Sequence, residues 1–271
     1  MKATTSSARR SHAAHQAAKP LRNDYLCKPG STILSNGMLK TLLLDEWRFL
    51  TFRPVSSAVH KQWRAFLLFG LVCTWLAGIG RYWDNPRAHV WQTLGLGSVA
   101  YVFILALLIW ALLAPLQPRN WSYRNVLLFL TLTSPLALLY AVPVEKFMTW
   151  EAAVSANVAF LGVVAVWRVA LYIVFLRRTA GMNAGGVVLG TLLPLSIIVF
   201  VLAALNLEHV IFNVMGGIRP EDLTPNDGAY QIVVMLAFFS FFLAPVLIGF
   251  YVVMVVQALQ DKRYNRIKDL S

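Results

Sequence analysis

Six times between residues 63 and 256 the chain runs apolar for long enough to cross a bilayer. A spanning helix needs about 20 predominantly apolar residues. The runs cover residues 63–80, 94–114, 126–144, 152–176, 187–207 and 232–256, and the first is the shortest. Their spacing dictates the expected fold class: all-α, a polytopic membrane helix bundle of six transmembrane helices. Composition agrees. The 271 residues are 58% hydrophobic and 13% charged, where a soluble domain carries about 25% charge. Lipid must therefore be part of the solvent.

Charge sets the expected orientation. Loops retained in the cytoplasm carry an excess of Lys and Arg. With the N-terminus inside, 19 of the 24 basic residues fall in inner segments and four in outer loops; Arg168 is the one left over. The split predicts both termini in the cytoplasm, in a bacterial inner membrane or, as the alternative, a mitochondrial one. Aromatic residues sit where that topology puts the interfaces: Trp63, Trp121 and Tyr123 inside, Tyr82, Trp83, Trp91, Trp150 and Tyr230 outside. The net charge of +12 is confined to segments flanking the runs. It reads as a topology signal and as attraction to anionic headgroups of the lipid bilayer, with no nucleic acid as partner.

Four regions follow. Residues 1–34 are a basic, Ala- and Ser-rich tail expected to be disordered, without the apolar core of a secretory signal. The same composition fits a mitochondrial transit peptide. Residues 35–62 hold an amphipathic juxtamembrane segment. In it Leu39, Leu42, Leu43, Phe49 and Leu50 recur near helical spacing, with Lys40, Asp45, Glu46 and Arg48 between them, and Pro54 ends the pattern. It predicts an N-terminal helix either lying at the interface or packed on the protein's own cytoplasmic face. Residues 63–258 form the six-helix domain, and 259–271 a second basic tail. Cys27 and Cys73 are expected to be unpaired thiols. His12 and His15 lack companions for a metal, and no metal ligand set, cofactor-binding fingerprint or catalytic motif is expected.

Three sets of residues inside the runs stand out. Arg168 lies about four residues, roughly 6 Å, from the middle of the fourth run, too deep to reach either surface fully. A charge so costly to place marks either an anion-binding or gating group or a structural arginine, bonded to neighbouring carbonyls or reaching the inner headgroups. Pro135, Pro194 and Pro245 each fall inside a run and are candidate hinges, as kinks or as the broken helices of a transporter. At the start of the fifth run, Gly181 and Gly185, then Gly186 and Gly190, repeat at the four-residue spacing that lets helices approach closely, within the chain or between two copies; Gly181 to Gly186 also overlap a loop, where glycine makes the turn. Outside the runs, Glu208, His209, Glu221, Asp222 and Asp227 gather polar groups in the last outer loop without the spacing of a zinc hydrolase.

The stretches YRNVLLFLTLTSPLALLYAVP at 123–143 and WRVALYIVFLRRTAGMNAGGVVLGTLLP at 167–194 complete the layout. A basic N-terminal tail precedes closely spaced spans, and an apolar helix ends in basic residues whose Gly-rich turn enters the next helix. This layout resembles the bacterial relatives of the Yip1 family. The resemblance implies a non-enzymatic role in scaffolding, assembly or membrane organisation, with a membrane-protein partner or a homo-oligomer, and it supplies no catalytic residues. Two other roles compete: a small transporter or channel using Arg168 and the proline-broken helices, and a membrane enzyme acting on lipid from the outer loop.

Overall fold

The computed structural model describes residues 36–80, 90–204 and 228–268. All the regular structure among them is helical. Helix α1 (Asn36–Leu50) leads through a bend into the single turn α2 (Ala58–Lys61). Then come α3 (Trp63–Gly80), the short α4 (Val90–Thr93), α5 (Leu96–Leu113), α6 (Tyr123–Leu132), α7 (Trp150–Arg178), α8 (Ala184–Ala204) and α9 (Gly228–Lys268). Five of these, α3, α5, α7, α8 and α9, are long and apolar enough to cross a membrane. The chain is a multi-pass membrane protein.

The third apolar run is not the single helix expected over 126–144. It divides into α6, started by Ser122, whose side chain accepts from the Asn125 N–H, and a 3₁₀ helix over Ser134–Ala141. Pro135 is the cause. It has no N–H to give, and its ring crowds the preceding turn. The backbone tightens just before it, where the Thr133 N–H is shared between the carbonyls of Phe129 and Leu130 at 3.2 Å each. The broken segment still runs the length of α3. At one end the Arg124 guanidinium lies 5.4 Å from the Trp63 ring centre. At the other, Gly80 sits on Ala141 with no room for a side chain. Ten α and eight 3₁₀ residues rise roughly 30 Å.

Close approach holds α3 to this segment. A Cβ at Gly70 would stand 2.5 Å from the Thr131 carbonyl oxygen and 2.6 Å from the Thr131 carbonyl carbon. Only glycine leaves room for that backbone. At the Trp63 end of the bundle the α5–α6 and α7–α8 turns are tied together, because the Arg119 N–H donates to the Ala180 carbonyl at 2.8 Å. Gly181 there has φ +62° and packs under the Arg119 side chain.

The main core forms where α5, α6 and α7 meet, around Ala106, Leu113, Val126, Phe129, Leu171 and Leu176. Phe129 stacks on Phe175 at 4.4 Å and meets Tyr172 at 5.8 Å. A smaller cluster, Leu189, Leu193 and Leu247, joins α8 to α9, helped by the Tyr251 hydroxyl donating to the Leu112 carbonyl at 2.8 Å. Along α9, Phe238, Phe239, Phe241 and Phe242 all remain exposed.

The N-terminal helix docks on this bundle with its two acids turned inward. Leu42 is buried with Phe66, Leu128 and Leu132, and Phe49 meets the edge of Phe129 at 5.9 Å. Asp45 and Glu46 are buried as well, whereas Leu39, Leu43, Leu44 and Trp47 face out. Sequence spacing alone places Asp45 and Glu46 on the polar, outward side. The reversal has a physical reason for Asp45. Its carboxylate accepts from the Ser56 N–H and hydroxyl, holding the bend that leads into α3, and from Arg48 at 3.3 Å. Two further bonds fasten the end of α1 to α7. The Trp167 indole donates to the Leu50 carbonyl at 2.9 Å, and the Arg178 guanidinium donates to the Phe52 carbonyl at 2.7 Å.

Candidate functional site

A cavity of about 570 Å³ opens between α3, α5, the broken third segment, α7 and α8. Thr133, Ser134 and Ala137 of the broken segment line it. Most of the wall is apolar: Val102, Leu105, Ile109, Phe129, Leu130, Val169, Leu195 and Ile198. Polar groups converge on it from five elements. They are Thr74 of α3, Ser98 and Tyr101 of α5, Thr133 and Ser134 at the break, and Tyr172 of α7 with Thr191 of α8.

Arg168 is the one charged residue among those lining this space. It is half-buried, and both Nε and Nη2 reach the Thr133 carbonyl at 3.4 Å. That carbonyl belongs to the turn where α6 ends, so the guanidinium closes the broken helix end from the side. These bonds are long, and weaker than short charge-assisted ones. The side chain is thus held at the wall while its positive charge faces a low-dielectric space. There an anion would gain far more than in water.

The hydroxyls are arranged in two groups. Thr74 Oγ1 donates to its own Gly70 carbonyl at 2.8 Å and lies 2.6 Å from Ser134 Oγ, which links α3 to the break. The Tyr172 hydroxyl donates to the Gly190 carbonyl at 3.1 Å, one residue before Thr191. Thr191 Oγ1 is buried and has no hydrogen-bond partner. A buried hydroxyl left in this way costs about 1–3 kcal/mol, so Thr191 gains from any ligand oxygen that enters. The arrangement suits binding and has no nucleophile–base pair among the described residues of the wall.

Of the three candidate hinges, Pro135 sits at the break. Pro194 is buried inside an unbroken α8 and contributes to the cavity wall. Pro245 is exposed inside an unbroken α9. Among the four glycines, Gly190 lies in a helix contact, where a Cβ would come within 3.1 Å of Leu176 and 3.3 Å of Leu113. Gly181 and Gly186 serve the turn into α8, the latter with its N–H bonded to the Asn183 side chain at 2.8 Å. Gly185 has ordinary space around it, the nearest atom being on Phe250 at 3.6 Å. The polar group of residues 208–227 and Cys27 lie outside the described residues; Cys73 is a free, buried thiol.

Sequence reasoning overlooked Gly70, Thr191 and the Thr74–Ser134 pair. The run Thr131, Thr133, Ser134, Pro135 carried a signal, because clustered hydroxyls beside a mid-run proline supply the partners that a broken helix needs. No protein-family model, curated protein or solved structure matches the chain. Its function has to be argued from this geometry.

Proposed function

We propose that the chain is a small transporter or carrier that takes an amphipathic anion in the Arg168 cavity. The observation that carries this reading is the combination around one cavity: a single guanidinium, hydroxyls from five elements and an otherwise apolar lining. A carboxylate or phosphate head would sit at Arg168 and Thr191, with the body of the ligand along Leu105, Ile109 and Leu195. A volume of about 570 Å³ lies within the usual range for small-molecule sites. A break in a spanning segment beside the bound charge is the device by which many transporters build a midplane site. The 19-to-4 distribution of basic residues supports six crossings with the third one broken, both termini in the cytoplasm and a bacterial inner membrane as the location. The outward apolar face of α1 supports its lying partly in the inner leaflet.

The test measures thermal stabilisation of the purified protein by a graded series of alkyl carboxylates and alkyl phosphates. Wild type should be stabilised, increasingly with chain length until the cavity is full. Arg168→Leu should lose that response, and Arg168→Lys should keep a fraction, since lysine lacks the planar fork of donors. Equal stabilisation of wild type and Arg168→Leu would sink the proposal.

The scaffolding role that the Yip1-like layout implies is the second reading. One observation favours it: α9 packs on α8 and leaves Phe238, Phe239, Phe241 and Phe242 uncovered, a surface on which a second copy or another membrane protein would seat. Cross-linking from Phe239 and Phe242 in intact membranes separates the readings, because a carrier working alone gives lipid adducts only.

A further inference from the structure

Glu46 is the buried group for which the fold so far gives no account. It lies on the docked face of α1, 4% exposed, and neither carboxylate oxygen has a hydrogen-bond partner. Its neighbour in the sequence, Asp45, is equally buried and fully engaged. A carboxylate without partners, shut away from water, is among the most costly things a fold can hold, and such a group takes up a proton instead. We propose that Glu46 is a proton-binding site: it is a neutral acid while α1 is docked and gives up its proton when α1 lifts from α3 and α6.

The surrounding charges leave the proton as the ligand. On α1 itself, Lys40 is exposed, and Arg48 is half-buried and pairs with Asp45. His60 and Lys61 of α2 and Arg64 of α3 are exposed too. Arg124 of α6 stacks over Trp63, and the Tyr123 hydroxyl donates to the Phe103 carbonyl. On α7, Arg168, Tyr172 and Arg178 are bonded to the carbonyls of Thr133, Gly190 and Phe52, and Arg177 is exposed. Cys73 of α3 lies within electrostatic reach of Glu46, and a thiol brings no positive charge. A metal ion would need several oxygen ligands, and among the described residues no group of acids and thiols or imidazoles is placed to hold one.

Burial accordingly pushes the Glu46 carboxyl up from 4.5 to about 8. The docked state therefore binds a proton across a range in which the undocked glutamate, in water, has lost it. Linkage fixes the sign: over that range each rise of one pH unit favours undocking about tenfold, and the effect levels off above about 8. An acid environment latches α1 on the bundle and an alkaline one loosens it. The proposal is independent of what occupies the Arg168 cavity.

The experiment uses the full chain in lipid nanodiscs. Hydrogen exchange of the amides in residues 36–50 is followed from about pH 5 to about pH 9 and corrected for the intrinsic base-catalysed rate. In wild type the corrected exchange should climb about tenfold per pH unit up to about 8 and then flatten. In Glu46→Gln, uncharged at every pH, it should stay flat. Infrared spectra at neutral pH should show the carbonyl stretch of a protonated acid in wild type and its loss in the variant. Glu46→Met, also uncharged, provides the comparison if the glutamine variant folds poorly. An ionised Glu46 at neutral pH would overturn the proposal. So would exchange of α1 that climbs with pH as steeply in both uncharged variants as in wild type.

Discussion

Alanine at position 70 should destabilise the bundle even though alanine is the better helix former. The added Cβ would lie 2.5 Å from the Thr131 oxygen and 2.6 Å from both the Thr131 carbonyl carbon and its Cβ. Carbon atoms pack best at about 3.5–4.0 Å, so α3 and α6 must part by about 1 Å. Two of the three atoms met are backbone, and no rotamer change relieves them. Overpacking of this kind costs about 1–3 kcal/mol. Separation also stretches the 2.6 Å contact between Thr74 and Ser134, worth about 1 kcal/mol more. Against this, replacing glycine inside a helix returns about 1 kcal/mol. The net expectation for Gly70→Ala is a loss of about 1–3 kcal/mol. Gly162 on α7 is the matched control, because nothing lies within 4 Å of its added Cβ. Gly162→Ala should gain a few tenths to about 1 kcal/mol. Unfolding both variants by titration with a denaturing detergent in mixed micelles gives the two signs directly. A Gly70→Ala protein as stable as Gly162→Ala would refute the backbone contact between α3 and α6.

Leu42→Ala removes a side chain that is 2% exposed; it should weaken α1 docking by about 2–4 kcal/mol, read as faster amide exchange in residues 36–50, and leave binding in the Arg168 cavity unchanged. Tyr172→Phe, deleting the buried donor to Gly190, should cost about 1 kcal/mol in the same detergent titration. Arg168→Leu should ease insertion of the isolated fourth apolar run by about 2.5–3.5 kcal/mol in a glycosylation-mapping assay. In the full chain it should release the broken end of α6, seen as faster exchange at residues 131–136. Reporters fused after Ser271 and inserted at Asp84 should report opposite sides of the membrane; the same side for both would contradict the orientation drawn from the basic residues.

The sequence is most informative where a single physical demand dominates. The runs at 63–80 and 152–176 fall on α3 and inside α7 because apolar length alone decides a spanning helix. Arg168 stands out for the same reason: its cost is visible without a structure. Less is legible where the outcome depends on which face of a helix meets its neighbour. Spacing cannot tell that Asp45 turns inward to hold Ser56, because the deciding partner is eleven residues away and on a bend. The third run hides its break because mid-span prolines usually only kink, as the unbroken helices at Pro194 and Pro245 show. At Pro135 the neighbouring hydroxyls and the guanidinium of Arg168, 35 residues beyond Thr133, make the break tolerable. Gly70 is invisible in sequence, since its importance comes from Thr131 opposite rather than from a second glycine four residues away.

The two bonds that fasten the end of α1 also set an order in time. The residues that receive α1 are made long after it: the Trp167 indole bonds to Leu50, 117 positions earlier, and Arg178 bonds to Phe52, 126 positions earlier. While the ribosome is still extending the chain, the N-terminal helix has emerged but its docking site is incomplete. Its contacts with Phe66, Leu128 and Leu132 can form first, but these two bonds cannot. The docking of α1 is therefore complete only once residue 178 has been made, and a chain that stalls before residue 167 lacks both fastenings.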